Sequence, residues 1–220
     1  MRKRNYDSPL RTAQSAGTRR RIVAAATAEF TRHGYAKTSV AGIAAAAGVS
    51  RETVYHVLGN KQAVLKACWD VAVVGDDEPV PVAERAAYRS MLAEPDPTEA
   101  AKQFGQLSAG LVGRIGPLLR VVADAAHEPE LAELLAQTRD ERLQGTRQLL
   151  ATLSGAAPAT PRFAHVVDVV YALVSPELAL VLIEQRRWTL SAYGDWLGEQ
   201  VAAQVLGLRG DPPGNRSTRL

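Results

Sequence analysis

The stretch VAGIAAAAGVSRETVYHV, residues 40–57, decides the fold. Two short helical runs, 40–47 and 51–58, are joined by three residues, so the two helices must cross steeply. Close crossing needs a small side chain on the first helix, and Ala44 supplies it. The turn needs a residue tolerant of positive φ, and Gly48 stands there. Ile43, Ala47, Val49, Val54 and Val57 are spaced to form the apolar faces that meet. The other side of the second run carries Arg51, Glu52, Thr53, Tyr55 and His56. A helix with one packed side and one polar side of this kind suits the major groove of DNA. The competing reading is an ordinary αα-corner with a solvated outer face.

The charge distribution favours the nucleic-acid reading. The net charge of +3 is the sum of +9 over residues 1–66 (12 Lys and Arg against 3 Asp and Glu) and −6 over the remainder. Asymmetry of this size points to a polyanionic partner for the basic part. Each polar residue of the segment then has a physical role. Thr38 and Ser39, at a helix N-terminus, would donate hydroxyls to phosphate. Ser50 opens the second helix, where Arg51 could fork to guanine O6 and N7. Thr53 could meet a thymine methyl or a phosphate, Tyr55 a phosphate oxygen, and Lys61 a phosphate as a point charge. Alone, Lys61 would read as a solvated surface lysine, and Glu52 has no contact assigned.

Around this segment the pattern predicts an all-α chain. Residues 1–17 read as a flexible basic arm, with a helix from Thr18 to 33 stopped by Gly34. The DNA-binding domain is expected over 18–66 and a larger helical body over 67–208. Asp76-Asp77-Glu78-Pro79 looks like a linker, and 209–220 like a disordered tail. Within the body, helices are expected near 81–93, 98–114, 117–127, 129–153, 162–174, 176–186 and 190–207. Alternating strand patterns and internal repeats are missing from the sequence.

Several function classes lose support. Of 220 residues, 46% are hydrophobic and 22% charged, too apolar for disorder. A single cysteine, Cys68, leaves no internal disulfide framework or CxxC site and fits a reducing cytosol. No apolar run follows the charged N-terminus as in a secretory signal. The apolar stretch 163–183 has spanning length, but His165, Asp168, Pro176 and Glu177 would be costly in lipid. A cytoplasmic protein without a membrane partner is expected. No phosphate loop, HExxH or GxSxG occurs, so neither catalysis nor a metal or cofactor is expected.

The run from Thr18 to Leu65 resembles the DNA-binding domain of TetR/AcrR-type transcriptional regulators. The resemblance is carried by Ile22, Ala25-Ala26, Phe30, Gly34-Tyr35, Thr38-Ser39-Val40 and Ile43-Ala44. It continues through Ala47-Gly48-Val49-Ser50, Thr53-Val54-Tyr55, Lys61 and Leu65. Val57 and Leu58 depart from the rings common there, which removes one expected phosphate contact; whether His56 replaces it is open. The resemblance implies a ligand-responsive regulator, chiefly a repressor, that binds a palindromic operator as a homodimer. It also implies release by a small-molecule effector, although an activator fits the same sequence. A helical protein-partner module with incidental DNA contact is the alternative from another class.

The stretches Val174-Ser175-Pro176-Glu177-Leu178, Arg187-Trp188-Thr189 and Tyr193-Gly194-Asp195-Trp196-Leu197 resemble C-terminal regions of some members. The family's last two long helices form a four-helix dimer interface, for which Phe163, Val166, Val170, Leu178, Leu182, Trp188 and Trp196 are candidates. Intrachain core is the rival reading for the tryptophans and the preferred one for Trp69. The family also implies an effector pocket, here with Met91, Phe104, Leu107, Leu111, Ile115, Leu119 and Tyr171 as candidate liners. Each has core packing as a rival reading. Gly105, Gly110, Gly113 and Gly116-Pro117 would mark a kink or cavity wall. This candidate wall is nearly free of charge, so a lipophilic or aromatic effector is expected. His127-Glu128 reads as cap chemistry, and the pair His165 and Asp168 as seam, core or half a ligand site. Cys68 lacks the neighbours of a redox sensor.

Overall fold

A computed structural model describes residues 9–75 and 82–209, and every regular element among them is helical. The linker motif, the first part of the basic arm and the tail beyond Arg209 lie outside the described residues. Ten α-helices follow in order: α1 (Pro9–Lys37), α2 (Val40–Ala47), α3 (Arg51–Val57), α4 (Lys61–Val74), α5 (Ala86–Leu92), α6 (Pro97–Asp124), α7 (Pro129–Ser154), α8 (Pro161–Leu173), α9 (Pro176–Leu180) and α10 (Leu190–Arg209). A π-helical turn, Val181–Gln185, continues α9.

Two of these bounds differ from expectation. The first helix starts at Pro9 instead of Thr18, so much of the expected arm is ordered. Proline suits a first helical turn, and Leu10, Arg11, Ala13, Gln14 and Ala16 are all strong helix formers. Helix α6 runs through Pro117, where a break was expected. Gly113, whose carbonyl loses its partner at Pro117, lies with Pro117 on the exposed side, so water can replace the missing donor.

The described residues form two compact units that do not follow chain order. Residues 9–75 group with 117–136, and residues 82–116 with 137–209. In the first unit, Ile22, Ala26 and Phe30 of α1, Ile43 of α2, Val54 of α3 and Val64 and Leu65 of α4 are fully buried. In the second, α8 packs on α10. Its core includes Leu149, Leu150, Val166, Val167, Val170, Tyr193, Leu197 and Val201.

Glycines set the closest approach in that second unit. A Cβ on Gly105 of α6 would meet the carbonyl of Gly194, and would lie 2.6 Å from the amide nitrogen of Gly198. A Cβ on Gly198 would lie 2.7 Å from Cα of Lys102. Gly105 is therefore a helix-crossing residue and not the cavity wall expected of it. Gly113 differs, because a Cβ there would meet only the end of the exposed Leu190 side chain, at 2.9 Å, which can move aside.

Candidate nucleic-acid interface

Local chemistry builds the two-helix motif. Gly34, at φ 73° and ψ 172°, breaks the helical path inside α1 and kinks the chain before its last residues. Ser39 caps α2 by accepting from the Gly42 amide at 3.1 Å, and Gly48 ends it in the left-handed region at φ 64°. Ser50 caps α3, its Oγ accepting from the Thr53 amide at 3.1 Å and lying 3.0 Å from the Thr53 hydroxyl. Val54 anchors α3 in the core. Arg51, Glu52, Tyr55 and His56 are exposed. The Glu52 carboxyl is held below the usual carboxylate range by its own backbone amide and by Ser50.

Most predicted DNA-side residues lie together on the exposed side of the motif, with one correction. Thr38 is buried, and its hydroxyl donates to the carbonyls of Gly34 (2.8 Å) and Glu29 (3.2 Å). Its hydroxyl therefore ties α1 to α2 and cannot also be offered to a phosphate. Ser39 is exposed and its hydroxyl proton remains available. Thr53 is half-buried, with its hydroxyl 3.0 Å from that of Ser50.

Lys61, the first residue of α4, has its ammonium 3.9 Å from the centre of the Tyr35 ring. This is cation–π geometry. Tyr35 stacks in turn on Phe30, with ring centres 6.1 Å apart. Burial lowers the Lys61 pKa while Glu128 opposes the shift, and Gln62 donates to Glu128 at 3.4 Å. Burial also raises the Tyr35 phenol, with Glu128 and Glu130 adding to the effect. Sequence spacing gave no signal for this cluster, because Glu128 is 66 residues from Gln62. Cys68 is buried, its thiol pushed up to about 11 by desolvation, which suits core packing.

The body candidates divide differently. Phe163, Val166 and Val170 are buried within the chain's own core and are corrected from interface to core residues. Their neighbours Ala164, His165, Asp168 and Ala172 form the exposed stripe of α8, so His165 and Asp168 are not core residues. Leu182, Trp188 and Trp196 are partly buried against the core, Leu178 is half-buried, and the two tryptophans meet edge-to-face at 5.9 Å. Trp69 is buried in the first unit. Met91 and Ile115 are buried in packed core, while Phe104, Leu107, Leu111, Leu119 and Tyr171 are partly exposed. Leu107 lines an open cleft with Ser90, Glu99, Lys102, Gln106 and Asp195. The Tyr171 wall is not free of charge, because the Arg142 guanidinium carbon lies 4.4 Å from its ring centre. His127 Nδ1 lies 3.1 Å from the Asp124 carbonyl at the end of α6, as cap chemistry requires.

Among the described residues no single helix is long and apolar enough to cross a membrane. Pro161–Leu173 and Pro176–Gln185 reach that length only as a pair bent by 42°.

Residues 22–68 match the family profile described as bacterial regulatory proteins, tetR family. None of the curated proteins matches the chain in sequence. Among solved structures, a transcriptional regulator of Rhodococcus sp. Rha1 superposes with a TM-score of 0.61 at 21% identity, covering 88% of this chain and 99% of that one. A protein described as a TetR-family transcriptional regulator of Mesorhizobium loti gives 0.62 at 21% identity, with 89% and 96% covered. The TetR-family regulator PfmR of Thermus thermophilus gives 0.55 at 23% identity, with 88% and 97% covered. Residues 22–68 thus belong to the tetR family of bacterial regulatory proteins, within a chain whose fold is that of TetR-type transcriptional regulators.

Proposed function

We propose that this chain is a cytoplasmic transcriptional repressor that binds a palindromic operator as a homodimer and is released by a small effector. The observation that carries the reading is the α2–α3 pair: α3 is anchored by Val54, capped by Ser50, and exposes Arg51, Tyr55 and His56 together. In this reading Arg51 and Thr53 meet base edges. Ser39, Ser50, Tyr55, His56 and Lys61 meet phosphates or the groove rim. One such helix reads one half-site, and two copies read a palindrome.

Pairing of copies is supported by the outer faces of α8 and α10, which are adjacent because the helices pack together and Arg162 Nη2 donates to the Gly207 carbonyl at 2.7 Å. The exposed residues of these helices include Ala164, His165, Asp168 and Ala172 on α8 and Ala203 and the half-exposed Leu206 on α10. Among these, Ala164, Ala172, Ala203 and Leu206 are the small or apolar side chains that would let a second helix pair approach, with His165 and Asp168 beside them.

The test is a fluorescence-anisotropy titration of a labelled palindromic duplex, selected from a random pool, at two salt concentrations. The selected site should bind about 10³-fold or more tightly than random duplex, with affinity falling steeply with salt. Equal affinity for both duplexes would leave the partner-module reading standing instead.

A further inference from the structure

Lys61 opens α4, and a cation in a first helical turn faces the positive end of the helix dipole. Two groups of the first unit offset that repulsion. The Tyr35 ring takes the ammonium at 3.9 Å, and Tyr35 is itself buried and stacked on Phe30. The second group is the carboxylate of Glu128, which lies between α6 and α7. One of its oxygens accepts from Gln62, the neighbour of Lys61, at 3.4 Å, and the other lies 3.7 Å from Nε2 of His127. The Glu128 amide donates to the Ala125 carbonyl, and the Glu128 carbonyl accepts from the Leu131 and Ala132 amides, so its backbone is fixed as well. Its charge reaches both the Lys61 ammonium and the Tyr35 phenol. Glu130, exposed in the first turn of α7, acts on Tyr35.

An aromatic face and an acid of its own chain therefore share the charge that Lys61 offers to a phosphate. When the lysine turns to a polyanion it gives up part of these interactions, and the Glu128 charge repels the same phosphate. Phosphate contacts carry no sequence information, so the loss falls on every duplex alike. We propose that Glu128 is a positioning residue that limits DNA affinity by holding the Lys61 charge on the protein. This role rests on the repressor reading above, in which Lys61 meets a phosphate. The basic surface then binds random DNA less tightly than its charge allows, while base preference is untouched.

The test compares the wild-type chain, Glu128→Gln, Lys61→Gln and the double variant on the selected and random duplexes. Glutamine keeps an acceptor for Gln62 and removes the charge. Glu128→Gln should tighten binding about two- to fivefold on both duplexes, as expected for one unit charge several ångströms from a phosphate in a largely aqueous medium. With Lys61 already replaced, the same exchange should gain much less, because the two sites are coupled. Glu130→Gln, which removes an equal charge from α7, should gain less than Glu128→Gln. Glu128→Asp, which keeps the charge but draws it back from α4, should give a smaller gain and keeps the test decisive if Glu128→Gln folds poorly. A readout without DNA is the titration of isotope-labelled dimethyl-lysine resonances, with the Lys61 signal identified by its loss in Lys61→Gln. In Glu128→Gln that signal should titrate at lower pH than in the wild-type chain. No gain in affinity, an equal gain with Lys61 replaced, an equal gain from Glu130→Gln, or an unmoved Lys61 titration would overturn the proposal. A moved Lys61 titration in a chain that binds neither duplex would overturn the repressor reading and leave the hold on Lys61 standing.

Discussion

Replacing Gly105 by Ala should destabilise the protein, although the same exchange at Gly110, on the same helix, should stabilise it. A Cβ at Gly105 would meet backbone of α10, with the Gly198 amide nitrogen at 2.6 Å and its Cα at 2.9 Å. Ordinary contact begins at 3.4 Å, so α6 and α10 would have to part by at least about 0.8 Å, and by more to clear the still nearer carbonyl of Gly194. No flexible side chain can absorb that movement, because the atoms met are backbone. A gap of this size forfeits about a quarter to a half of each dispersion contact it opens, including those around Tyr193, Leu197 and Val201. Overpacking of this kind costs about 1–3 kcal/mol, and removing a helical glycine returns about 1 kcal/mol. With the clash at the upper end, the net loss is about 2 kcal/mol. At Gly110 the nearest atom to a built Cβ is Arg114 Nη1 at 3.5 Å and the position is exposed, so only the gain of about 0.5–1 kcal/mol remains. Urea unfolding followed by helical circular dichroism, at one protein concentration, would measure both midpoints. Equal or greater stability of Gly105→Ala, or shifts of the same sign in both variants, would refute the close-crossing argument.

Other consequences are open to direct measurement. Arg51→Ala should cost about 1–3 kcal/mol on the selected operator and relax preference at one position per half-site, with far less loss on random duplex. Lys61→Gln should lower the salt slope of DNA binding by about 1 per protomer; an unchanged slope would remove Lys61 from the phosphate contacts. Thr38→Val should cost about 1–3 kcal/mol of folding stability through its lost bonds to Gly34 and Glu29, with DNA affinity per folded molecule retained. Leu206→Glu should yield monomers in sedimentation, whereas a dimer unaffected by it would place the seam elsewhere. Cys68 is raised from 9.0 to about 11, so the folded state holds its proton more tightly than the unfolded chain. Its stabilising effect is full below pH 9 and is lost as pH rises through about 11, so Cys68→Ala should flatten the alkaline fall in stability.

Much of the first unit was legible because its determinants are local. Ser39, Ser50 and Asn60 each cap the helix that follows them, and Gly34 and Gly48 take the positive φ that their turns need. Such signals act within four or five residues and survive any change in distant packing. Thr38 was misassigned because a threonine before a helix reads equally as a phosphate donor or as a buried tie. Only the position of α1, which brings the Glu29 carbonyl to it, separates the two.

The body was less legible for the same physical reason in reverse. Phe163, Val166 and Val170 were read as an interface because one helix's sequence marks an apolar stripe without saying what covers it. The structure shows that the chain's own α10 helps to cover it and leaves Ala164, His165, Asp168 and Ala172 outside. Gly105 has one spacing whether it bends a helix or admits another, and the Gly194 and Gly198 backbone that it meets lies on α10, far along the sequence. Spacing along one chain therefore determined most of the helices, many of their ends and the polar outer face of α3, all of which follow from interactions over a few residues. Which stripe is core and which glycine is a contact depended on how distant helices pack, which no short-range pattern encodes.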